Sequence, residues 1–269
     1  MQSLSPVAEI IRQVAAEVIV PRFRCLTPGQ IIEKKPGDLV TIADEESEIN
    51  LSKRLVEFLP GSLVLGEEMA FKSPDAYGVL DRDAPVWIID PIDGTGNFAK
   101  GDDRFAVIVA LVHHNRVEAG WIYEPISGRT IAAERNRGCW SLTETPARLE
   151  LKPSQTHHTA VGAVYGQRQM GEARVPIADL VEQSPVVGTT KQYYSGGVEY
   201  NAIAMKDIAY SLHSRSFPWD HAAGVLMVEE AGGIAKFLDG SDYDPRITDR
   251  EILAAHSPEL FETVQSLVG

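Results

Sequence analysis

The chain is poor in cysteine and contains no long apolar run. Its two cysteines, Cys25 and Cys139, lack the close spacing of metal-binding pairs, so a disulfide framework and a zinc site are both disfavoured. No apolar run approaches the roughly 20 residues that a membrane-spanning helix needs. The first residues also lack the charged-then-apolar layout of a secretion signal. We therefore expect a cytoplasmic protein with no membrane partner.

Basic residues are scarce relative to acidic ones. The chain has 25 Lys and Arg against 38 Asp and Glu, for a net charge of −13. This excess of negative charge disfavours a nucleic-acid polymer or an anionic membrane as a partner. With 44% apolar residues, a chain of 269 residues can bury a sizeable core, as one large domain or as two packed ones.

The most informative segment is an apolar run that ends in two aspartates. Val86-Trp87-Ile88-Ile89 is typical of a buried strand, and Asp90-Pro91-Ile92-Asp93-Gly94-Thr95 follows it directly. Hard divalent cations take oxygen ligands, and Mg²⁺ is commonly held by one or two carboxylates together with substrate phosphate. A strand that ends in an Asp-rich turn is the simpler interpretation of the two aspartates alone.

The residues around the second aspartate suit a bound anion. Pro91 fixes the backbone between the two acids, and Gly94 lets the chain turn and approach a ligand closely. If a helix begins here, the backbone N–H groups of Gly94 and Thr95 face an anion such as phosphate.

Four motifs together resemble the inositol monophosphatase family of Mg²⁺-dependent, lithium-sensitive sugar phosphatases. The first motif continues the aspartate segment through Gly96-Asn97-Phe98. The others are Pro218-Trp219-Asp220-His221-Ala222-Ala223-Gly224 with Glu230-Ala231-Gly232-Gly233, Gly66-Glu67-Glu68, and Asp38-Leu39-Val40-Thr41 with Asp44. They occur in the family's order and at similar spacing, from the first helix to the C-terminus.

The resemblance implies an α/β fold, the layered α+β sandwich of the inositol monophosphatase and fructose-1,6-bisphosphatase type. Residues 1–146 would form an N-terminal domain of helices and a sheet that carries most of the metal ligands. Residues 147–269 would form a smaller C-terminal α/β domain with Asp220 and the substrate pocket. The polar segment 144–153, which has two prolines, is the candidate boundary.

The resemblance also implies a set of metal ligands. They are the carboxylates of Glu67, Asp90, Asp93 and Asp220 and the carbonyl of Ile92, and they would hold two or three Mg²⁺ ions, with Li⁺ as an inhibitor. Acids that converge without cations repel each other and raise each other's pKa values, and bound cations also reverse the local charge for a phosphate substrate. Glu68 could replace Glu67 as the ligand, and Asp220 could serve only as a helix N-cap.

A threonine and an aspartate orient or deprotonate the attacking water in the family, and the matching residues are Thr95 and Asp44. Both residues could instead cap helices, or do both jobs. The N–H groups of Gly94 and Thr95 would hold phosphate oxygens. Lys34 and Lys35 precede the Asp38 motif, and we expect them to be solvated loop residues.

Near the substrate pocket the chain departs from the inositol-specific pattern. Inositol phosphatases have a glutamate a few residues before the metal-binding aspartate, whereas no carboxylate lies between Asp207 and Asp220 here. His213 and Arg215 in this stretch suit an additional negative charge on the substrate, or they face solvent. Gly196 and Gly197, together with Glu199, match loosely a segment that lines the family's pocket.

We therefore expect a phosphoric monoester hydrolase that acts on a small phosphorylated metabolite, as the inositol monophosphatases do. Histidinol phosphate, fructose 1,6-bisphosphate and 3′(2′),5′-bisphosphate nucleotides are the alternative substrates. A non-catalytic regulatory protein that binds metal or phosphate on the same scaffold is a further alternative. The family commonly forms homodimers, and we expect one here.

Periodicity predicts the order of helices and strands. Helices are expected at 5–20, 44–59, 200–206 and 220–231 and from residue 258 onward, with Asp220 as an N-cap. Strands are expected at 63–67, 86–90, 105–112, 117–123, 130–134, 160–165 and 234–237.

Overall fold

The computed structural model describes residues 4–143, 145–151, 160–170, 173–185, 187–188 and 192–269. Its α-helices are α1 Leu4–Val14, α2 Ile42–Phe58, α3 Glu67–Lys72, α4 Thr95–Lys100, α5 Ile177–Glu182, α6 Gly196–Ala204, α7 Pro218–Glu230 and α8 Pro258–Val268. A π-helical segment, Ala15–Ile19, continues α1, and short 3₁₀ helices cover Val20–Arg22, Pro28–Gln30 and Pro74–Asp81. No helix of these residues is long and apolar enough to cross a membrane.

The strands form two large sheets and two hairpins. One hairpin pairs β1 (Ile31–Lys35) with β2 (Asp38–Thr41). The larger sheet contains seven strands in chain order: β3 Leu63–Gly66, β4 Val86–Asp93, β5 Ala106–His113, β6 Arg116–Glu124, β7 Arg129–Glu134, β8 Gly138–Ser141 and β9 Ala147–Leu149. Its strands pair antiparallel, except that β3 and β4 are parallel.

The smaller sheet lies in the C-terminal half of the chain. Its strands are β10 Ala160–Val164, β13 Val187–Gly188, β14 Tyr210–His213, β15 Ile234–Phe237 and β16 Ile252–Ala255, in the spatial order β13-β10-β14-β16-β15. The second hairpin pairs β11 (Gln167–Met170) with β12 (Ala173–Pro176).

Alternating residues of β4 explain how the layers stack. All eight residues of this strand are buried. Trp87 and Ile89 pack in a core with α1 and α2 on one face of the larger sheet. Val86 and Ile88 pack in a second core with α6 and α7 on the other face. This is the two-residue period of a strand that is covered on both sides.

Helices α6 and α7 form the layer between the two sheets. Phe237 and Ile252 of the smaller sheet share the core of these helices. The opposite face of that sheet packs Leu212 and Leu253 against α5 and α8. The layers therefore run helix, sheet, helix, sheet, helix, which confirms the expected layered α/β sandwich.

Several boundaries differ from the sequence prediction. The α6 helix begins at Gly196, four residues before the predicted start, because the side chain of Ser195 caps it by accepting from the N–H of Val198. Asp220 is not the N-cap of α7, which begins at Pro218. Strand β3 ends at Gly66, so that Glu67 begins α3.

The predicted domain boundary lies only partly within the described residues. Residues 144 and 152–159 lie outside them. Strand β9, at Ala147–Leu149, pairs with β8 and so belongs to the larger sheet. The division at residues 146 and 147 stays a prediction.

Candidate active site

Strand β4 carries Asp90 and Asp93, three residues apart. In a regular strand, side chains three residues apart point to opposite faces of the sheet. The pairing of β4 with β5 is irregular here. Asp90 lies opposite Ile108 and Asp93 lies opposite Ala106, so the stretch with Pro91 has one residue more than its partner. Pro91 suits this bulge because it has no N–H to leave unpaired. The bulge lets both aspartates face the same side.

Asp220, in the first turn of α7, completes a cluster with the two strand aspartates. Carboxylate oxygens of Asp90, Asp93 and Asp220 all lie within 4.8 Å of one another. Burial raises the pKa of Asp90 and of Asp220 well above the usual range, and the charges of neighbouring carboxylates add to this. Burial also raises the pKa of Asp93 to about 6, against the opposing effect of its hydrogen bonds.

The beginning of α6 holds Asp93 in place. The Ser195 hydroxyl donates to its Oδ2 at 2.5 Å and the Gly197 N–H donates to the same oxygen at 2.7 Å. The Gly196 N–H donates to Oδ1 at 3.2 Å. A Cβ at Gly197 would lie 3.0 Å from Ala106, so the helix approaches the strand closely because this residue is glycine. The sequence analysis predicted neither the hydrogen bonds of these N–H groups to Asp93 nor the contribution of Ser195.

Asp44 and Thr95 meet although they are 51 positions apart in the chain. The Thr95 hydroxyl lies 3.1 Å from Asp44 Oδ1 and 3.0 Å from the Ile92 carbonyl, and its single proton can go to either acceptor. Asp44 Oδ2 accepts from the N–H of Thr41, which is the N-cap of α2. Burial raises the pKa of Asp44 to about 7. Asp44 is therefore part of a capping box and also faces the site.

Gly94 joins β4 to α4 with a left-handed backbone, at φ +92°. A Cβ here would also lie 3.1 Å from the Arg104 carbonyl oxygen and from the side chain of Ser195. Glycine therefore meets both the conformational and the spatial demand. Within the described part of the chain, the N–H groups of Gly94 and Thr95 donate no hydrogen bond. Both remain available to an anion.

Lys34 bridges two glutamates beside the aspartate cluster. Its ammonium lies 2.9 Å from Glu67 and 3.0 Å from Glu68, and its side chain is 4% exposed. Burial by itself would lower the pKa of Lys34, but the two carboxylates raise it, so the group is charged. The expectation of a solvated lysine was wrong, because residue 34 lies on β1 and points toward α3 rather than into water. Glu68 is buried and does not face solvent.

Glu48 of α2 was not predicted to matter, yet it positions the two glutamates. Its carboxylate accepts from the N–H of Glu68 at 2.8 Å and of Met69 at 3.0 Å. A Cβ at residue 66 would lie 2.2 Å from the Glu48 carboxylate, which explains the glycine before Glu67. This carboxylate therefore fixes the beginning of α3.

His213 is the last residue of β14, the middle strand of the smaller sheet, and faces a carboxylate from α6. Its Nε2 is 3.2 Å from Glu199 Oε2. Glu199 is fully buried, and the Tyr165 hydroxyl donates to its other oxygen. The His213 ring stacks between Tyr165 and Tyr200, with centroids at 5.5 and 6.2 Å. Residues 208–219 contain no carboxylate, and the carboxylate that faces His213 comes from Glu199 of α6. Arg215 is exposed.

The layered fold and the buried acids at a strand end define a class of hydrolases for which charge neutralisation is central. The chain belongs to the inositol monophosphatase family, whose profile matches residues 1–268. It is a phosphoric monoester hydrolase, as the family's members are.

Individual proteins and solved structures are similar to this chain. An inositol-1-monophosphatase from Bacillus subtilis is 29% identical over 94% of this chain and 91% of the relative. A protein called Nus factor SuhB from Vibrio cholerae is 30% identical over 80% of this chain and 78% of the relative. An IMPase/NADP phosphatase, solved in complex with Mg²⁺ and phosphate, has the same fold, with a TM-score of 0.79 at 20% identity over 99% of this chain and 93% of that one.

Proposed function

We propose that this protein is a Mg²⁺-dependent phosphatase for a small phosphorylated metabolite. The observation that carries the proposal is the convergence of Asp90, Asp93 and Asp220 beside the Asp44–Thr95 pair. Buried oxygen ligands packed this closely fit a hard divalent cation, because the cation removes their repulsion. The similar IMPase/NADP phosphatase that binds Mg²⁺ and phosphate supports the choice of ion.

Two or three Mg²⁺ ions would be held by the three clustered aspartates, by Glu67 and by the Ile92 carbonyl. Mg²⁺ in such a site lowers the pKa of a bound water and neutralises charge on the phosphate and the leaving oxygen. Glu67 can serve as a ligand once its hydrogen bond to Lys34 breaks. Glu68 would stay bonded to Lys34 and would not be a ligand. If Thr95 donates to Asp44, the Ile92 carbonyl is left free for an ion.

Asp44 and Thr95 would orient the attacking water. A threonine hydroxyl is a weak base, but a hydroxyl that donates to a carboxylate leaves its lone pairs for the proton of a water. Asp44 is placed to accept the Thr95 proton, because its Oδ1 lies 3.1 Å from that hydroxyl. The free N–H groups of Gly94 and Thr95 would bind phosphate oxygens at the same point.

Substrate recognition would involve the region of His213 and Glu199, whose facing atoms lie 3.2 Å apart. Gly196 and Gly197 line this region, but their N–H groups already donate to Asp93, so we assign them to positioning the acid. Arg215 remains a candidate for a second negative charge on the substrate. Inositol monophosphate, histidinol phosphate, fructose 1,6-bisphosphate and bisphosphate nucleotides all remain substrates to test.

The proposal is tested by measuring phosphate release from this panel of esters with Mg²⁺, with and without Li⁺. We expect release that depends on Mg²⁺ and that falls when Li⁺ is added. Binding of Mg²⁺ and esters without turnover would contradict the proposal and favour the regulatory alternative. The proposal includes a homodimer in the cytoplasm, and a light-scattering mass of one subunit would contradict the dimer.

A further inference from the structure

Tyr194 combines a strained backbone with an exposed ring. Its φ is +55°, in the left-handed region that bulky side chains rarely adopt, and the residue is 60% exposed. Five further described residues other than glycine share this backbone, and none carries a large apolar side chain: Arg24, His114, Asn115, Asn136 and Lys206. An exposed ring buries little apolar surface, so packing alone does not offset the strain. Such outliers are concentrated at binding sites.

Hydrogen bonds fix the backbone around Tyr194. Its N–H donates to the Tyr165 hydroxyl at 2.9 Å, and the N–H of Tyr193 donates to the same oxygen at 2.8 Å. The Tyr193 carbonyl accepts from Asn97 Nδ2 at 2.8 Å. These bonds hold the strained conformation, and they set the direction in which the ring of Tyr194 leaves the backbone.

The ring of Tyr194 borders the region to which we assign substrate recognition. It lies edge-on to the ring of Tyr165, with centroids 5.9 Å apart. The Tyr165 ring stacks in turn on the ring of His213, at 5.5 Å. The next residue in the chain, Ser195, donates a hydrogen bond to Asp93. Tyr194 is therefore next to the acids and next to the recognition region.

The sides of the aspartate cluster indicate where the alcohol group of a bound ester lies. In phosphoryl transfer the attacking and leaving oxygens are roughly in line through phosphorus. Asp44, which would orient the water with Thr95, faces the charge of Glu67. Asp93 instead faces the first turn of α6, whose N–H groups donate to it. A water that attacks from the Asp44 side directs the alcohol toward α6 and the ring of Tyr194.

We propose that Tyr194 is a specificity-determining residue whose ring packs against the alcohol group of the bound ester. The inference rests on the proposed phosphatase activity, because the phosphate site determines where the alcohol lies. A tyrosine ring offers an apolar face to C–H groups and a hydroxyl to a polar substituent. A ring already held in one direction also loses less entropy when the ester binds.

The test compares ligands with and without an alcohol group. Hydrolysis with Mg²⁺ is followed through the alcohol released from inositol monophosphate, fructose 1,6-bisphosphate, histidinol phosphate and adenosine 3′,5′-bisphosphate, with inorganic phosphate as an inhibitor. Tyr194→Ala should lower kcat/KM for the best ester about tenfold, while the inhibition constant of phosphate changes less than about twofold. Tyr194→Phe keeps the ring and should keep both values within about twofold. An unchanged kcat/KM in Tyr194→Ala, or an equal loss of phosphate affinity, would overturn the inference.

Tyr194→Gly separates the ring from the strained backbone. It lacks the ring as the Ala variant does, so kcat/KM should fall by the same factor. Glycine adopts the left-handed backbone without strain, so its Tm should exceed that of the Ala variant by about 2 °C. Lys206→Gly, at φ +66° beyond the end of α6, is the matched control and should leave kcat/KM as it is. Recovery of kcat/KM in Tyr194→Gly would contradict a role of the ring.

The failure of the phosphatase proposal would look different. If the wild type hydrolyses no ester, that proposal fails, and calorimetry with the same four esters and Mg²⁺ still tests the ring. We expect at least one ester to bind about tenfold more tightly to the wild type than to Tyr194→Ala. Equal affinity for both proteins, or no binding of any ester, would overturn the inference. A light-scattering mass that changes in Tyr194→Ala would assign the ring to a subunit contact and would overturn it too.

Discussion

Two groups of acidic side chains lie next to each other in this site, and they differ in what balances their charge. Asp90, Asp93 and Asp220 converge within 4.8 Å. Glu67 and Glu68 instead share the ammonium of Lys34, at 2.9 and 3.0 Å. The first group needs an added cation to balance its charge, whereas the chain itself supplies one for the second.

The difference indicates which acids bind a cation from solution and which acids hold the structure together. A buried acid with an internal ammonium keeps its geometry without a ligand. Closely packed acids without such a partner repel one another, which adds to the rise in their pKa values caused by burial. Burial also raises the pKa of Glu67 and of Glu68, but the Lys34 ammonium opposes that rise. Glu67 lies between the two situations, because Lys34 and an added cation compete for it. The predictions below test this division.

The largest effect is expected for Asp90→Asn. Losing this carboxylate should lower Mg²⁺-dependent phosphate release roughly thousandfold, because the stabilisation supplied by metal ions amounts to several kcal/mol. Glu68→Gln should have a much smaller effect. Asp83→Asn, at a side chain that is 90% exposed, is the control. Retained activity in Asp90→Asn would remove this residue from the metal site.

Thr95→Ala should lower kcat roughly a hundredfold, the size of a typical proton-transfer or water-orienting contribution. Mg²⁺ binding, measured by calorimetry, should change little because the carboxylates remain. Thr95→Ser keeps the hydroxyl and should recover most of the rate. An Ala variant with the kcat of the wild type would show that the hydroxyl does not act on water.

Lys34→Met should destabilise the metal-free protein by about 3 kcal/mol, because it leaves buried glutamates without a partner. Urea unfolding measures this loss. Saturating Mg²⁺ should restore more stability in this variant than in the wild type, since an ion can then replace the ammonium at Glu67. Lys35→Met, at an exposed neighbour, is the matched control. Equal stability of both variants would mean that the Lys34 bonds contribute nothing.

The smallest effect concerns pH. Burial raises the pKa of Asp93 to about 6 and of Asp44 to about 7. Between about pH 4 and pH 7 the folded protein therefore holds protons that the unfolded chain has released, and the free energy of unfolding falls as pH rises. Mg²⁺ favours the ionised acids, so the gain in Tm on adding Mg²⁺ should be larger at about pH 8 than at about pH 5. An equal gain at both would contradict this account.

Local sequence predicts much of the fold and half of the site. The apolar run 86–89 and the alternating strands after it are found where the pattern places them, because each is set by residues close in sequence. Asp90 and Asp93 were recognised from the same segment. That their side chains face the same side of the sheet was not predicted, because it depends on the bulge in the pairing of β4 with β5.

The missed residues act through contacts between distant parts of the chain. Lys34 meets glutamates 33 and 34 positions away, and Ser195 meets Asp93 across 102 positions. Glu199 was matched together with Gly196 and Gly197 to the segment that lines the family's pocket, but its contact with His213 was not predicted, because it depends on how α6 packs against β14. No local pattern encodes such pairs.

The central claim is that Asp90, Asp93 and Asp220 take a divalent cation from solution whereas Glu68 does not. Anomalous diffraction from crystals soaked in Mn²⁺, an ion that also prefers oxygen ligands, tests it most directly. We predict at least one peak within about 2.5 Å of oxygens of the three aspartates, and none at Glu68. The absence of an anomalous peak among the three aspartates, or a strongest peak at Glu68, would contradict the account.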